Sequence, residues 1–314
     1  MSDASSPDPA CFADRLIERV RALAHPLCVG IDPHLGLVPE LFGGGAMSPS
    51  DPATAAAVER LCLAFVDLLE GRTAIVKPQI AFFEQLGWRG VRALERVVAR
   101  CHERGLLVLL DAKRGDIGST AAGYAQAYLT SDAGMPADAL TVNPYMGFDT
   151  LEPFAKQASV SGRGLFVLVK TSNPGSGDLQ DQLLAGEDDL VFERVARGLG
   201  DLAGRMMGPT TGWSALGVVV GATYPEHADR VRELLPRSLF LVPGYGSQGG
   251  SASDAVRGFV PGPAGLEGGL VNSSRGILFA EGTAEAGSAK VWEEAIGHAL
   301  DRAADELGQA VSSG

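Results

Sequence analysis

Short apolar runs recur along the chain and alternate with longer amphipathic stretches. Each run is too short for a typical helix and is rich in Leu, Ile and Val, which predicts a buried strand. The longer stretches repeat apolar residues at helical spacing. Eight strands are predicted, at Leu27–Asp32, Ala74–Gln79, Leu106–Ala112, Ala139–Asn143, Gly164–Lys170, Leu216–Val220, Leu239–Pro243 and Gly269–Asn272. The clearest predicted helices are Ala53–Glu70, Gln85–Arg104, Ser119–Ser131, Asp188–Arg205 and Val291–Gly308.

This alternation predicts an α/β fold, a (β/α)8 TIM barrel that forms a single domain over residues 1–314. An open, doubly wound sheet is the alternative. It would normally have fewer strands and, if it bound a dinucleotide, a glycine fingerprint after its first strand. The segment Val29-Gly30-Ile31-Asp32-Pro33 has no such fingerprint, which favours the barrel. The polar ends, about 1–10 and 309–314, are expected to be flexible.

Composition narrows the class of protein. Hydrophobic residues make up 46% of the chain and charged residues 20%, so a large core can form. The net charge of −12 argues against nonspecific binding to nucleic acid or to anionic membranes, although a locally basic site could still take a phosphorylated ligand. Without an apolar signal core or a run of membrane-spanning length, we expect a cytoplasmic protein.

Cysteine and histidine give no sign of a metal site. The four cysteines form no C-x-x-C pair, and Cys28 and Cys62 lie in apolar segments, as buried free thiols do. The five histidines are scattered and form no H-E-x-x-H motif. We therefore expect no bound metal.

Candidate chemistry is concentrated at the ends of the predicted strands. The third strand runs into Asp111-Ala112-Lys113-Arg114-Gly115-Asp116, and alternation along a strand places Asp111 and Lys113 on one side. Further polar residues at or near strand ends are Asp32, Lys77, Lys170, Ser172 and Arg275. In a barrel these ends share the face that carries catalysis. Simpler interpretations stay open: a structural ion pair for Asp111 and Lys113, a lysine reaching solvent for Lys77, a strand cap for Lys170, and a helix cap for Asp116.

A glycine-rich segment, Pro243-Gly244-Tyr245-Gly246-Ser247-Gln248-Gly249-Gly250, follows the seventh strand. Its glycines let backbone N–H groups approach an anion, and barrels often hold a phosphate after strands seven and eight. Arg275 offers a forked donor suited to phosphate. The segment could instead be a plain turn, and its G-x-G-x-x-G match to a dinucleotide site lacks the expected context. The long loop at Thr171–Glu187 could cover the site.

With these motifs in hand, the chain resembles the orotidine 5′-phosphate decarboxylase family, in its longer bacterial form (type 2), from about Leu27 to Ala280. The resemblance rests on D-x-K-x-x-D-I at Asp111 to Ile117, on Val76-Lys77-Pro78-Gln79, on Pro243-Gly244 with Gln248, and on Arg275. It implies removal of CO₂ from orotidine 5′-monophosphate to give UMP without a cofactor or metal. It also implies a homodimer whose active sites lie at the subunit interface.

The same resemblance assigns roles by position. It makes Lys113 the proton donor, sets Asp111 against the substrate carboxylate and has Lys77 order the charged array and reach the ribose. Asp116 and Thr120 would act across the interface. The remaining substrate contacts would be Asp32 to the ribose, Ser172 to the pyrimidine, and Pro243, Gly244, Gln248 and Arg275 around the phosphate.

Three other functions remain as alternatives. A magnesium-dependent sugar-phosphate decarboxylase or aldolase of the same superfamily also carries D-x-K-x-x-D, but uses it to hold the metal ion and an enediolate. A catalytically silent nucleotide-binding barrel would need to have lost a member of the charged array, and none is missing. An aldolase with Lys170 as a Schiff-base lysine is the third possibility.

Overall fold

The computed structural model describes residues 10–186, 188–222, 225–246 and 250–313. Its strands are β1 Leu27–Ile31, β2 Ile75–Pro78, β3 Leu107–Arg114, β4 Ala139–Val142, β5 Gly164–Lys170, β6 Ser214–Val220, β7 Ser238–Val242, β8 Val260–Gly262, β9 Gly265–Glu267 and β10 Gly269–Ser273. Its α-helices are α1 Phe12–Leu23, α2 Pro52–Asp67, α3 Ala81–Glu84, α4 Gly87–Glu103, α5 Gly118–Leu129, α6 Glu152–Val160, α7 Val191–Gly198, α8 Gly200–Arg205, α9 Pro225–Leu234, α10 Ala252–Ala255, α11 Arg275–Leu278 and α12 Ala289–Ser312.

Eight of these strands form a closed parallel barrel. β1 to β7 pair in chain order, and β10 closes the ring between β7 and β1. The strands are almost fully buried because the sheet is covered by helices outside and filled by side chains inside. The predicted barrel is confirmed, and the alternative of an open sheet is wrong. β8 and β9 form a separate antiparallel hairpin that the apolar pattern did not predict.

The chain also contains a first helix, α1, for which the sequence analysis made no prediction. Its buried face includes Phe12, Leu16 and Ile17. Phe12 packs edge-on against Phe166 of β5, with ring centroids 6.2 Å apart. A Cβ at Gly164 would lie 2.3 Å from the Phe12 ring, so only glycine fits there. The helix therefore packs against the amino end of β5, opposite the strand ends that carry the candidate chemistry.

A buried carboxylate ties this amino-terminal end together. Asp138, just before β4, accepts hydrogen bonds from Arg15 of α1 (2.9 Å), Arg163 (2.7 Å), His102 (3.1 Å) and the backbone N–H of Val108 (2.9 Å). Burial would raise the pKa of Asp138, but these donors outweigh it and hold the pKa well below its usual range. The network joins α1, α4 and β3 to one charge.

The last helix, α12, continues to Ser312, and Val311 is buried. This differs from the flexible end expected at 309–314, because the final turns pack against the body instead of extending into solvent. Residues 1–9 of the other predicted flexible end lie outside the described residues. Within the described ranges, no helix combines the length and apolar character needed to cross a membrane.

Candidate active site

A cavity of about 630 Å³ opens at the carboxyl ends of the barrel strands. Its lining includes five charged residues, which are Asp32, Lys77, Asp111, Lys113 and Arg275. Asp32 and Arg275 lie just beyond the ends of β1 and β10, and Lys77, Asp111 and Lys113 lie in the carboxyl-terminal halves of β2 and β3. The barrel thus brings together residues that are up to 243 positions apart in the chain (275 − 32).

Asp111 is the centre of a row of alternating charges. Its Oδ1 lies 2.6 Å from Lys113 Nζ, and its Oδ2 lies 3.0 Å from Lys77 Nζ. Lys77 Nζ is also 3.9 Å from Oδ1 of Asp32. The order Lys113, Asp111, Lys77, Asp32 therefore alternates positive and negative groups. We call these four residues the charged array.

The array holds its buried members in their charged forms. Burial would raise the pKa of Asp111, but Lys77 and Lys113 outweigh it and lower that pKa well below its ordinary value. Burial would likewise lower the pKa of Lys77, and the carboxylates of Asp111 and Asp32 instead raise it. The Lys113 side chain is 46% exposed, so its ammonium reaches into the cavity.

Two polar residues to which the sequence analysis gave no role complete the surroundings of Asp111. Gln79 Nε2 donates to Oδ2 at 2.9 Å, and the hydroxyl of Thr141 donates to Oδ1 at 3.0 Å. Gln79 lies two residues after Lys77, so strand alternation could have placed it on the same side. Thr141 lies within an apolar strand on a different part of the chain, and no local signal connects it to Asp111.

The backbone at the array departs from a regular strand. Lys113 has a φ of +47°, a left-handed conformation that non-glycine residues adopt at a cost. The pairing of β3 with β4 also shifts between Leu110 and Arg114. Simple alternation predicted that Asp111 and Lys113 would lie together, and they do, but the strand reaches this arrangement through a bulge.

Other predicted site residues divide into three groups. Ser172, Pro243, Gly244 and Arg275 line the same cavity. Gln248 lies outside the described residues. Asp116 and Thr120 are not among the described residues that line the cavity, and Asp116 Oδ1 accepts a hydrogen bond from the N–H of exposed Ile117.

Lys170 does not join the charged array. Its side chain is 1% exposed, and its Nζ contacts both carboxylate oxygens of Asp181 at 2.7 and 2.8 Å and the Ser176 hydroxyl at 3.1 Å. Gln180 in the same loop bonds the backbone N–H and hydroxyl of Thr171. These contacts hold the loop after β5 against the barrel. A Schiff-base role for Lys170 therefore has no support in this geometry, because the amine is buried in an ion pair.

The glycine-rich segment after β7 is tied to the last helix. Gly244 and Gly246 have φ values of +98° and +72°, which a side chain would strain. Between them, the buried Tyr245 donates its hydroxyl to Glu306 of α12 at 2.5 Å. Helix α10, which follows this segment, is a single turn of four residues.

The described ranges contain no group of three or more His, Cys, Asp or Glu side chains that could hold a metal ion. At Asp111, each carboxylate oxygen already accepts one hydrogen bond from a lysine ammonium group and one from a neutral side chain. Such a carboxylate is a poor ligand for a divalent cation, because the two neighbouring ammonium groups repel it.

Comparison with known proteins gives a consistent result. The family model for orotidine 5′-phosphate decarboxylase / HUMPS matches residues 25–289. The orotidine 5′-phosphate decarboxylase of Rhodopirellula baltica is 40% identical over 292 residues, covering 91% of this chain and 95% of that protein. That of Deinococcus radiodurans is 43% identical over 275 residues, covering 86% and 90%.

Solved structures agree with the sequence relatives. The structure of Leishmania donovani OMP decarboxylase superposes with a TM-score of 0.71 at 33% identity, covering 96% of this chain and 98% of that one. The barrel, the charged array at its strand ends and the match over residues 25–289 together show that this chain belongs to the orotidine 5′-phosphate decarboxylase / HUMPS family.

Proposed function

We propose that this protein converts orotidine 5′-monophosphate to UMP and CO₂, the decarboxylation step of pyrimidine biosynthesis, without a cofactor or metal. The observation that carries the proposal is the charged array, in which Lys113 faces the cavity and Asp111 and Lys77 stand behind it. The relatives of this chain at 40% and 43% identity carry the name of that enzyme.

Charge complementarity supports an anionic substrate. The chain as a whole carries −12, yet the described charged residues that line the cavity are three cations and two carboxylates. Orotidine 5′-monophosphate carries a carboxylate at one end and a phosphate at the other. Lys113 and Lys77 supply positive charge deep in the cavity, and Arg275 supplies a forked donor for the phosphate.

The reaction needs a fixed cation where negative charge develops. When the bond from C6 to the carboxylate breaks, its electron pair stays on C6 in an orbital that the ring cannot readily delocalise. Lys113 Nζ stabilises this charge and then donates a proton to form the C6–H bond, and solvent restores the lost proton. Asp111 lies against the departing carboxylate, and Lys77 keeps Asp111 ionised and in place.

The remaining cavity residues bind the rest of the substrate. Asp32 Oδ1 is buried and has no hydrogen-bond partner among the described residues, so it can accept from a ribose hydroxyl. In this proposal Ser172 contacts the pyrimidine, and Pro243, Gly244 and Arg275 surround the phosphate. The family resemblance adds Gln248, which lies outside the described residues. Binding energy from this distant phosphate helps to position C6 at Lys113.

A second copy of the chain completes the site in this proposal. Asp116 and Thr120 flank the exposed Ile117 (59% exposed) in the segment after β3, and the exposed Tyr145 (79%) and Met146 (51%) follow the neighbouring strand β4. Large exposed apolar side chains after adjacent strand ends are what a protein interface would cover. We propose a cytoplasmic homodimer in which Asp116 and Thr120 reach the neighbouring active site.

The first experiment is to measure UMP formation from orotidine 5′-monophosphate by the purified protein, with and without excess EDTA. We expect rapid conversion that EDTA does not slow, and loss of conversion in Lys113→Ala. Conversion that requires Mg²⁺, or turnover of sugar phosphates with no UMP formed, would favour the magnesium-dependent alternative. No turnover of any of these substrates would favour a silent nucleotide-binding barrel.

A further inference from the structure

Thr141 makes more contacts at the charged array than its place in an apolar strand suggests. It is 1% exposed, and its hydroxyl oxygen lies within hydrogen-bond distance of three groups. The backbone N–H groups of Ala112 and Lys113 are 2.9 and 2.8 Å away, and Oδ1 of Asp111 is 3.0 Å away. One side chain thus contacts three consecutive residues of β3.

The valence of the hydroxyl fixes the direction of each bond. A threonine hydroxyl has one hydrogen to donate and two lone pairs to accept with. Backbone N–H groups can only donate, so they occupy both lone pairs. The single hydrogen must then point to the carboxylate of Asp111, which can only accept while ionised. Every hydrogen-bonding position of Thr141 is used.

The strand pairing explains why the hydroxyl is needed. Leu110 pairs with Leu140 and Arg114 with Val142, so residues 111–113 of β3 lie opposite Thr141 alone. Such a bulge leaves N–H groups without ladder partners. Thr141 accepts two of them at the point where Lys113 takes its φ of +47°. An unpaired N–H group at this partly buried position would cost free energy, so the hydroxyl stabilises the bulged conformation.

We infer that Thr141 is a positioning residue for the decarboxylation, holding Asp111 and the backbone of Lys113 in the geometry that the reaction uses. The inference rests on the proposed function, since it acts through the proposed roles of those two residues. Thr141 should affect the chemical step, because it orients the proton donor Lys113 and its partner Asp111. It should affect substrate binding little, because Arg275 and the glycine-rich segment hold the phosphate.

Three variants test this inference. Thr141→Val keeps the branched shape and removes the hydroxyl, and Thr141→Ser keeps the hydroxyl. Thr73→Val is a matched control: Thr73 is also buried, just before the start of β2 at the other end of the barrel, and its hydroxyl lies 2.7 Å from the carbonyl oxygen of Leu27 and 3.1 Å from that of Ile75, with one hydrogen to donate between them. Thr141→Cys, whose thiol is a weak hydrogen-bonding group, serves if Thr141→Val does not fold.

We expect kcat to fall about 10²-fold in Thr141→Val, with KM and the affinity for UMP changed little, because a small misplacement of a catalytic group has an effect of this size. Thr141→Ser should recover most of the activity, Thr141→Cys should lose part of it, and Thr73→Val should keep the wild-type kcat. A wild-type kcat in Thr141→Val, or an equal loss in Thr73→Val, would overturn the inference.

A crystal structure of Thr141→Val, or of Thr141→Cys, gives a readout that needs no substrate. We expect Lys113 to leave the left-handed region, or the Asp111 carboxylate to turn away from Lys113. Unchanged positions of both residues would overturn the inference even if the wild-type protein did not turn over orotidine 5′-monophosphate. Failure of the inference is thereby distinguished from failure of the proposed function.

Discussion

A lysine at position 113 supplies an ammonium group to the cavity and also forces a side-chain-bearing residue into a left-handed backbone conformation. Replacing Lys113 by glycine and by alanine separates these two effects. Both changes remove the ammonium that faces the cavity. Asp111 keeps its contacts with Lys77, Gln79 and Thr141 in either variant. Alanine retains the unfavourable left-handed backbone, whereas glycine adopts a φ of +47° without a steric clash.

The expected stabilities follow from these contacts. The ion pair from Lys113 to Asp111 contributes at most about 1 kcal/mol, because the Lys113 side chain is 46% exposed. The left-handed conformation costs an L-residue roughly 1–2 kcal/mol. Glycine avoids that cost but loses about 0.5–1 kcal/mol through its greater freedom in the unfolded chain. Lys113→Gly should therefore be more stable than Lys113→Ala by about 1 kcal/mol.

Catalysis, unlike stability, should not distinguish the two variants. Loss of both the proton donor and the fixed cation should lower kcat by about 10⁴-fold or more in each variant. Urea unfolding at one fixed protein concentration measures the stability of each variant, and the rate of UMP formation measures its kcat. Lys290→Ala is a suitable control, because Lys290 is 83% exposed on α12 and should affect neither.

Two results would refute this reasoning independently. Near-normal turnover by Lys113→Ala would exclude Lys113 as the proton donor. A Lys113→Gly protein less stable than Lys113→Ala would show that the backbone at this position is not strained. The position of Lys113 in the charged array would then have to be explained by its charge interactions alone.

Three further predictions concern groups around the array and beneath it. Arg275→Ala should lower kcat/KM for orotidine 5′-monophosphate about 10²-fold, as expected for a lost charge-assisted contact, and leave turnover of the phosphate-free nucleoside orotidine unchanged; steady-state kinetics with both compounds check this. Tyr245→Phe should raise KM several-fold and lower the free energy of unfolding by about 1–2 kcal/mol, since the bond to Glu306 is lost; an unchanged KM would argue that this bond does not hold the phosphate segment. Asp138→Asn should lower the free energy of unfolding by about 3 kcal/mol at neutral pH with kcat unchanged. Because the folded pKa of Asp138 is lowered, its stabilisation is complete above about pH 4 and is lost as the pH falls through that folded pKa, so urea unfolding across acid pH should show a steeper loss in the wild type than in Asp138→Asn.

The fold was largely predictable because its signal is local and repeated. Runs such as Leu106–Ala112 and Gly164–Lys170 alternate with amphipathic helices, and eight such units meet the requirements of a closed parallel barrel. Helix α1 carries its apolar residues, among them Phe12, Leu16 and Ile17, at helical spacing, so it was predictable from the same kind of signal and was missed. The hairpin of β8 and β9 lies outside the repeating unit, and its short strands are mostly only partly buried, so they show no apolar run.

The site divides in a similar way. Sequence by itself determined which residue types end the strands, and the barrel topology then implies that Asp111, Lys113 and Lys77 share one face. It could not determine that Lys170, an equally conspicuous lysine at a strand end, pairs with Asp181 under a loop. Strand position gives the end of the barrel at which a side chain emerges, whereas its partner depends on how a long loop folds back.

Only the tertiary structure decided how the array is held. The bulge opposite Thr141, the left-handed backbone of Lys113 and the contact from Gln79 to Asp111 arise from pairing between strands that are distant in sequence. Hydrophobic pattern and local propensity describe one segment at a time, so they predict the strands and the charges at their ends. Hydrogen bonds between segments depend on register, and register is set when the closed barrel packs as a whole.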